Sequence, residues 1–398
     1  MKSKNLLLLK LIYNTTAIHK GQFMRLATFN VENMFERPII MNLPTWTDGK
    51  AVLEDFSRLN DLIQKEEYSP DDKEEMLKIM RRNNGLLEPF QESKYIWLRV
   101  IRGKFIRRPQ GGPEEIVANG RNDWIGWFEL KTETIREIAI ENTGRVIHEV
   151  NADVFCVIEV DNRIALKRFN ETVIPNIGGE KYDHIMLIDG NDDRGIDVGI
   201  MTRQPFEIQS IVSHIDDPDG QNEDHKVFSR DCPEYIIKTP LGNKLLVLIN
   251  HFKSKGYGLP AVSNSKRKRQ AYRVRDICKD RLNQGFEFIA VVGDLNDTPN
   301  SDPLQPLLGN ELGLTDIMTH DKFTGDARPG TFGNGAASQK LDYILMSPQL
   351  ANKVLRGEIE RRGVWGGEHG TLFPHFPEIK TAKDAASDHA SLWVDLEL

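Results

Sequence analysis

Nine polar residues sit at the ends of apolar runs in this chain, at five separate places. Asn30 and Glu32 lie at the end of RLATFNV, Glu159 follows DVFCVI, Asn250 and His251 follow LLVLI, Asp294 and Asn296 follow FIAVVG, and Asp388 and His389 stand just before SLWVDLEL. Oxygen donors dominate the set. Hard cations such as Mg²⁺ and Ca²⁺ select such donors, and Mg²⁺ typically takes one or two carboxylates together with substrate phosphate. Zinc fits less well, because no His or Cys pair has its usual local spacing. Two imidazoles beside carboxylates add proton-transfer capacity near neutral pH. The inventory suits metal-assisted hydrolysis of a phosphate ester. A single Asp- or Asn-rich turn after a strand is common and means little. Five such strand ends imply convergence at one edge of the sheets, where sites are commonly built.

The elements that must deliver these groups follow from pattern. Phe288 to Val292 is a short apolar run closed by Gly293, with Pro299 shortly after, which reads as a strand buried on both faces. Period-two geometry puts Asp294 and Asn296 on one side of it, at an end expected to be exposed. Further strands are expected at 25–31, 153–160, 181–188 with 197–202, 235–238 with 245–250, 341–346 and 392–398. Helices are expected at 51–64, from the Ser69-Pro70-Asp71-Asp72 start to Gly85, at 132–150 and at 265–282. Strands outnumber helices, and several join through turn-rich links such as Gly190–Asp193. That favours mixed or antiparallel sheets over a doubly wound parallel sheet.

Composition bounds the rest. The chain has 398 residues, 39% apolar and 28% charged, enough to bury a large core without covalent staples. A net charge of −7 argues against a protein basic all over but leaves room for a local basic face. Cys156, Cys232 and Cys278 are too scattered for a disulfide framework or a zinc site. Residues 1–23 read as a start-site artefact ahead of Met24 or as a weak signal segment, so a cytoplasmic location is preferred over secretion. No run reaches transmembrane length. Residues 24–398 read as a single domain with an insertion at about 41–130. His214, His225, His320, His369 and His375 lack a motif and read as surface residues.

The stretches TFNVENMF, DVFCVIEVDN, RGIDVGIMTR, FSRDCPEYIIK, LINHFKSKG, VVGDLNDTP, QKLDYILMS and SDHASLWVDLEL occur in the order of the endonuclease/exonuclease/phosphatase superfamily. The chain resembles that superfamily over 24–37 and about 145–398, and looks closest to its bacterial nuclease-like members. The resemblance implies an α/β (α+β) fold, a four-layer α/β/β/α sandwich of two mixed, mainly antiparallel sheets flanked by helices. It implies roles as well. Glu159 would be the chief metal carboxylate, with Asn30 and Asp388 nearby and Glu32 contributing. Asp294 would activate or orient the attacking water, helped by Asn296, and since family members divide the acid and base roles differently, Asp294 and His251 are interchangeable in this assignment. His389, oriented by Asp342, would bind the scissile phosphate, and His251 would act as acid or second phosphate contact. Arg194, Arg230, Asn250 and Lys253 would hold substrate. The implied cofactor is Mg²⁺, with Mn²⁺ or Ca²⁺ as alternatives.

The implied activity is hydrolysis of a phosphodiester, with DNA or RNA as the preferred substrate. A phosphatase or lipid phosphodiesterase acting on a small headgroup is the rival within the fold, and an inactive binding module the remote one. Two basic stretches bear on the choice. Lys94–Arg108 carries six cations with Tyr95, Trp97 and Phe105, and Lys266–Arg281 carries eight cations. Both fit a nucleic-acid backbone, with rings for stacking in the first. The alternatives are an amphipathic hairpin with snorkelling arginines and a solvated helix face. The sequence implies no protein partner and no integral membrane segment, and the chain reads as a monomer.

Overall fold

The computed structural model describes residues 23–43, 46–83, 86–87, 93–109, 112–192, 194–220, 222–255 and 259–398. The N-terminal segment 1–22, the expected helix stop Gly85 and Asp193 lie outside the described residues. The chain divides into two compact units, one made of the residues up to Met34 with 136–253 and 264–398, the other of 35–135 and 254–263.

The first unit holds two six-stranded sheets. One runs, in spatial order, Val354–Glu360, Ser391–Glu397, Phe23–Asn30, Val154–Val160, Asp197–Thr202, His184–Leu187. The other runs Glu207–Val212, Glu234–Lys238, Lys244–His251, Phe288–Asp294, Asp342–Met346, Thr315–Asp316. Within each sheet one central pair is parallel, Phe23–Asn30 with Val154–Val160 and Lys244–His251 with Phe288–Asp294, and the remaining pairs are antiparallel. Strand alternation then sorts the side chains. Met24, Leu26, Cys156, Ile158, Val247, Ile249, Ala290, Val292, Ile344 and Met346 meet in one core between the sheets. The opposite parity of the second sheet, Leu246, Leu248, Val291 and Leu345, packs with Ala271, Val274 and Cys278 of the helix Pro260–Asn283. The helix Glu137–Val150 lies against Val354–Glu360 and Ser391–Glu397 of the first sheet. The result is helix, sheet, sheet, helix. Each buried aliphatic side chain contributes roughly 1.5–3 kcal/mol, so a polar residue on the inter-sheet parity is tolerated only where it finds partners, which is at the rim.

The second unit has its own core, in which Leu59, Leu62 and Ile63 of the helix Trp46–Ile63 meet Met76, Ile79 and Met80 of the helix Pro70–Arg82. The second helix starts as its sequence signals. Asp72 donates its backbone N–H to Ser69 Oγ at 3.1 Å, and Ser69 returns one to Asp72 Oδ2 at 3.0 Å. Ile96–Gly103 and Trp124–Leu130 form an antiparallel ribbon. Phe105, one of the rings available for stacking on the nucleic-acid alternative, is buried and stacks on Trp124 with centroids 4.2 Å apart. Val100, Ile101, Ile125 and Trp127 stay exposed on the ribbon. No helix among the described residues is long and apolar enough to cross a membrane.

Two helical expectations change. The segment expected as one helix over 132–150 begins as a strand, Thr132–Thr134 paired with Glu36–Pro38, and turns helical only at Glu137. Alternating β-branched threonines suit that pairing. The basic helix is also not a free face. Arg267 is wholly buried, with Nε 3.1 Å from Asp297 Oδ2 and Nη1 2.8 Å from the Lys253 carbonyl. Lys266 donates to the Lys226 carbonyl at 2.6 Å. Lys268 pairs with Asp302, Arg269 with Asp219, Arg273 with Asp217, Arg275 with Asp276, Lys279 with Glu311 and Arg281 with Glu234. All eight cations of 266–281 thus have acceptors within the chain, although the pairs of Lys268, Arg269 and Lys279 lie at the surface.

His214 overturns a further expectation, since it is buried rather than at the surface. Its Nδ1 lies 2.8 Å from Asp217 and its Nε2 2.9 Å from Glu234, so both nitrogens face carboxylates and both must donate. Burial disfavours the imidazolium, but Glu234 and Asp217 outweigh it and raise the pKa above its ordinary value. Arg281 and Arg273 neutralise the same two carboxylates from the helix. A raised folded-state pKa contributes stability that is fully present below the unfolded value of about 6.5 and is lost as pH rises through the folded value. The melting temperature of the wild type is therefore expected to fall across that rise by more than that of His214→Gln. Equal slopes for the two proteins in a pH series of thermal melts would rule the linkage out.

Candidate active site

The polar strand ends expected to converge do so. His251, Asp294 and Asp342 lie side by side on three neighbouring strands of the second sheet, His251 opposite Asp294 and Asp294 opposite Asp342. Each continues the parity of its strand's core residues: Ile249 then His251, Val292 then Asp294, Ile344 then Asp342. Asn30 does the same on the first sheet after Leu26. The site is therefore the polar rim of the inter-sheet core, and the sheets meet across it. Asn30 Nδ2 lies 3.3 Å from Asp294 Oδ2, and His251 Nε2 lies 3.4 Å from Glu159 Oε1. The rim is not exposed, as expected for Asp294 and His389, but buried: Asp294 is 2% and His389 6% accessible.

Three backbone devices aim the groups. By alternation Glu159 should face away from the other sheet, with Val157. A bulge in the pairing of Asp197–Thr202 with Val154–Val160 leaves Glu159 without a partner, at φ 65°, and turns it toward His251. Left-handed backbone costs a residue such as Glu about 1 kcal/mol or more and concentrates at functional sites. Gly293, at φ 120°, passes so close to the Asn250 carbonyl that a Cβ would sit 2.1 Å from that oxygen. Asn296 reaches Asp294 by folding back at φ 53° rather than by extended alternation. Its N–H donates to Asp294 Oδ1 at 2.8 Å and its Nδ2 to Oδ2 at 3.0 Å.

His389 lies at the centre of the charge network. Its Nδ1 is 2.8 Å from Asp342 Oδ2, and its Nε2 faces Asp388 Oδ1 at 3.7 Å and Asp294 Oδ2 at 4.0 Å. Burial opposes its cation, but Asp342, Asp388 and Asp294 together raise its pKa well above the ordinary value. Burial raises Asp294, with Asp342 adding to the effect and His389 opposing it. His251 moves the other way. Burial, then the guanidinium groups of Arg230 and Arg194, hold it well below the usual imidazole range. Arg230 Nε is 3.2 Å from His251 Nδ1, and its Nη2 is 3.1 Å from Nε2. Two imidazoles in one site are thus driven to opposite protonation states. Glu32 accepts the Asp388 N–H at 3.0 Å, and its own N–H donates to Asn30 Oδ1 at 3.0 Å, which ties those three together.

The remaining expected residues divide. Arg194 and Arg230 both reach Asp192, at 2.9 and 3.2 Å, so this acid, one of those Arg194 was open to pairing with, is the hub of the pair. Lys253 is half-buried, and burial followed by Arg194 and Arg230 lowers it to about 8. Asn250 falls on the parity of Leu248, and its amide donates to the Leu248 carbonyl at 3.3 Å, away from His251. Thr331, which carries no motif, donates its hydroxyl to Asp342 Oδ2 at 2.6 Å. Ligand atoms of Asp294, Asp342 and His389 lie within 4.8 Å of one another, close enough to share a cation, although the His389 Nδ1 is already committed to Asp342.

A carboxylate–imidazole pair, a second buried carboxylate, a neutral imidazole against an arginine and a rim of oxygen donors can bind a phosphate and move a proton at it. Comparison with known proteins agrees in class. No curated protein sequence matches the chain. Among solved structures, the chain is similar to an endonuclease/exonuclease/phosphatase from Bacteroides vulgatus (20% identity, 65% of this chain and 90% of that one, TM-score 0.46). It is similar to the mannosyl-6-phosphatase of Bacteroides thetaiotaomicron (18%, 65% and 90%, TM-score 0.46). It is also similar to truncated Caenorhabditis elegans TDP2 (15%, 66% and 92%, TM-score 0.45). Residues 106–317, over half of the chain, match the sequence model of the endonuclease/exonuclease/phosphatase family, and the chain belongs to that family of phosphoester hydrolases.

Proposed function

We propose that this chain hydrolyses a small phosphoester with the help of a divalent cation, Mg²⁺ before Mn²⁺ or Ca²⁺. One observation carries the metal. Glu159 is largely buried, stands at a strained backbone position, and receives no hydrogen bond from any described residue. Its nearest ionisable partner among the described residues is His251, 3.4 Å away, so a largely buried carboxylate is left without a direct cationic partner there. Glu159, Asn30, Glu32 and Asp388 are oxygen donors throughout, the set that Mg²⁺ selects. When bound, the cation supplies charge neutralisation at the phosphate.

The chain's own residues do the rest. Asp294, held by two hydrogen bonds from Asn296, orients the attacking water and accepts its proton. His389, fixed through Nδ1 by Asp342, presents Nε2–H to a phosphate oxygen. Arg230 and Arg194, clamped by Asp192, and half-buried Lys253 give the other side of the phosphate its positive field. His251 contacts the phosphate beside Arg230. Asn250 supports its strand end and is left out of substrate contact.

The small substrate is preferred because the helix expected to track a nucleic-acid backbone has all eight of its cations engaged. A nuclease is the second reading. Its support is the exposed ribbon of the second unit, where Arg102 and Lys104 have no carboxylate partner among the described residues.

Asp294→Asn keeps the volume of the side chain and is expected to lower kcat by at least ~10²-fold, the scale of one acid–base or electrostatic group. Glu159→Gln should raise the Mg²⁺ concentration needed for half-maximal rate. Full wild-type activity in excess EDTA would sink the metal assignment. Substrate size is read from p-nitrophenyl phosphate, bis-p-nitrophenyl phosphate and plasmid DNA assayed side by side. Replacing Lys268 and Arg269 with Ala should change plasmid and small-diester rates by the same factor. If plasmid cleavage alone falls and its salt slope flattens, the helix does contact a polymer and the nuclease reading wins.

A further inference from the structure

We infer that Thr331 is a positioning residue for this reaction: its hydroxyl fixes the Asp342 carboxylate that orients His389. The inference rests on the reading of His389 as a group that touches the phosphate. Thr331 is wholly buried, and every hydrogen-bonding valence of its hydroxyl is used. The oxygen accepts from the N–H of Leu341 at 3.1 Å and from the N–H of Asp342 at 3.0 Å. With both lone pairs occupied, its one proton has a single direction left, and Asp342 Oδ2 lies there at 2.6 Å. That same oxygen accepts from His389 Nδ1 at 2.8 Å. One carboxylate oxygen therefore takes two donors whose directions are set independently, one by backbone amides and one by the imidazole.

The consequence for His389 is geometric. A carboxylate held only by a histidine can rotate about its last torsion, which is soft, and carry the ring with it. The Thr331 hydroxyl removes that freedom, so Nδ1 keeps its hydrogen and Nε2 keeps its aim. The neighbouring backbone grips the other partner. Ala390 donates to the Thr331 carbonyl at 2.8 Å, and Gly333 donates to the Asp388 carbonyl at 2.7 Å. Phe332 bridges His389 through the backbone and sets its ring 4.9 Å from the imidazole. The plain alternative is a staple that only ties a loop to the strand Asp342–Met346. Such a staple needs the two amide bonds, but not the shared carboxylate oxygen.

The test compares Thr331→Val, Thr331→Ala, Thr331→Ser and His389→Ala in the full chain, with bis-p-nitrophenyl phosphate and Mg²⁺. Thr331→Val is expected to lower kcat per folded molecule by ~10–100-fold, the scale of one hydrogen bond to a charged group, with KM little changed. Thr331→Ala, which leaves room for water at the two amides and keeps the test open if the valine variant does not fold, should fall similarly. Thr331→Ser should return kcat to within a small factor of wild type. Wild-type kcat in the Val or Ala variant overturns the inference, as does a Ser variant as impaired as Val. A lowered melting temperature with unchanged kcat per folded molecule also overturns it. An active His389→Ala overturns the underlying reading of His389 itself, whereas an inactive His389→Ala beside an active Thr331→Val overturns only the role of Thr331.

Discussion

Strand alternation, more than any single bond, is what the rest of this structure depends on. Each strand offers one row of side chains to the space between the sheets, and that row is mainly apolar until the strand nears its end. The same row then continues as Asn30, His251, Asp294 or Asp342. Because the core rows of both sheets are in contact, their polar extensions are brought into contact without further design. The hydrophobic effect positions the chemistry: shifting a strand by one residue would turn its catalytic candidate to the wrong face along with its core.

Departures from regularity occur where alternation alone gives the wrong answer. Glu159 would face the helix side of its sheet, and a bulge turns it back. Asn296 lies beyond its strand and reaches Asp294 through a left-handed turn. These conformations are held by the surrounding sheets, which are rigid enough to impose them. The electrostatics follow from the same burial. In water His251 and His389 would titrate alike; here an arginine lies against one and carboxylates surround the other, so the two rings are separated in charge state.

Much of this was legible in the sequence. The strand ends, their order, the two large mixed sheets and the capped helix at Ser69 could be read from local pattern and from the resemblance to the family. What was not legible depends on partners far along the chain. Nothing local at Thr331 marks it, because its significance lies in the position of Asp342 and His389 after folding. Asp192 is a local partner for Arg194 in the sequence, but its second partner Arg230 is brought to it only by the fold. His214 looks like a surface residue because its carboxylate partner Glu234 comes from another strand. The basic helix illustrates the same limit with the opposite sign. Eight cations in sixteen residues suggest an open face, and only the fold brings Asp217, Asp219, Glu234 and Asp302 to close it.

The strand Phe23–Asn30 has a consequence for how the protein is made. Its parallel partner Val154–Val160 follows it only after the whole segment 35–135, and its antiparallel partner Ser391–Glu397 follows later still. During synthesis it must wait with unpaired edges while later segments, rich in local contacts, are free to form ahead of it. Asp388 and His389 arrive together with Ser391–Glu397. A chain cut before Ser387 therefore lacks the antiparallel partner of Phe23–Asn30 and leaves one edge of that strand open, an aggregation hazard, and it lacks the candidate groups Asp388 and His389 as well.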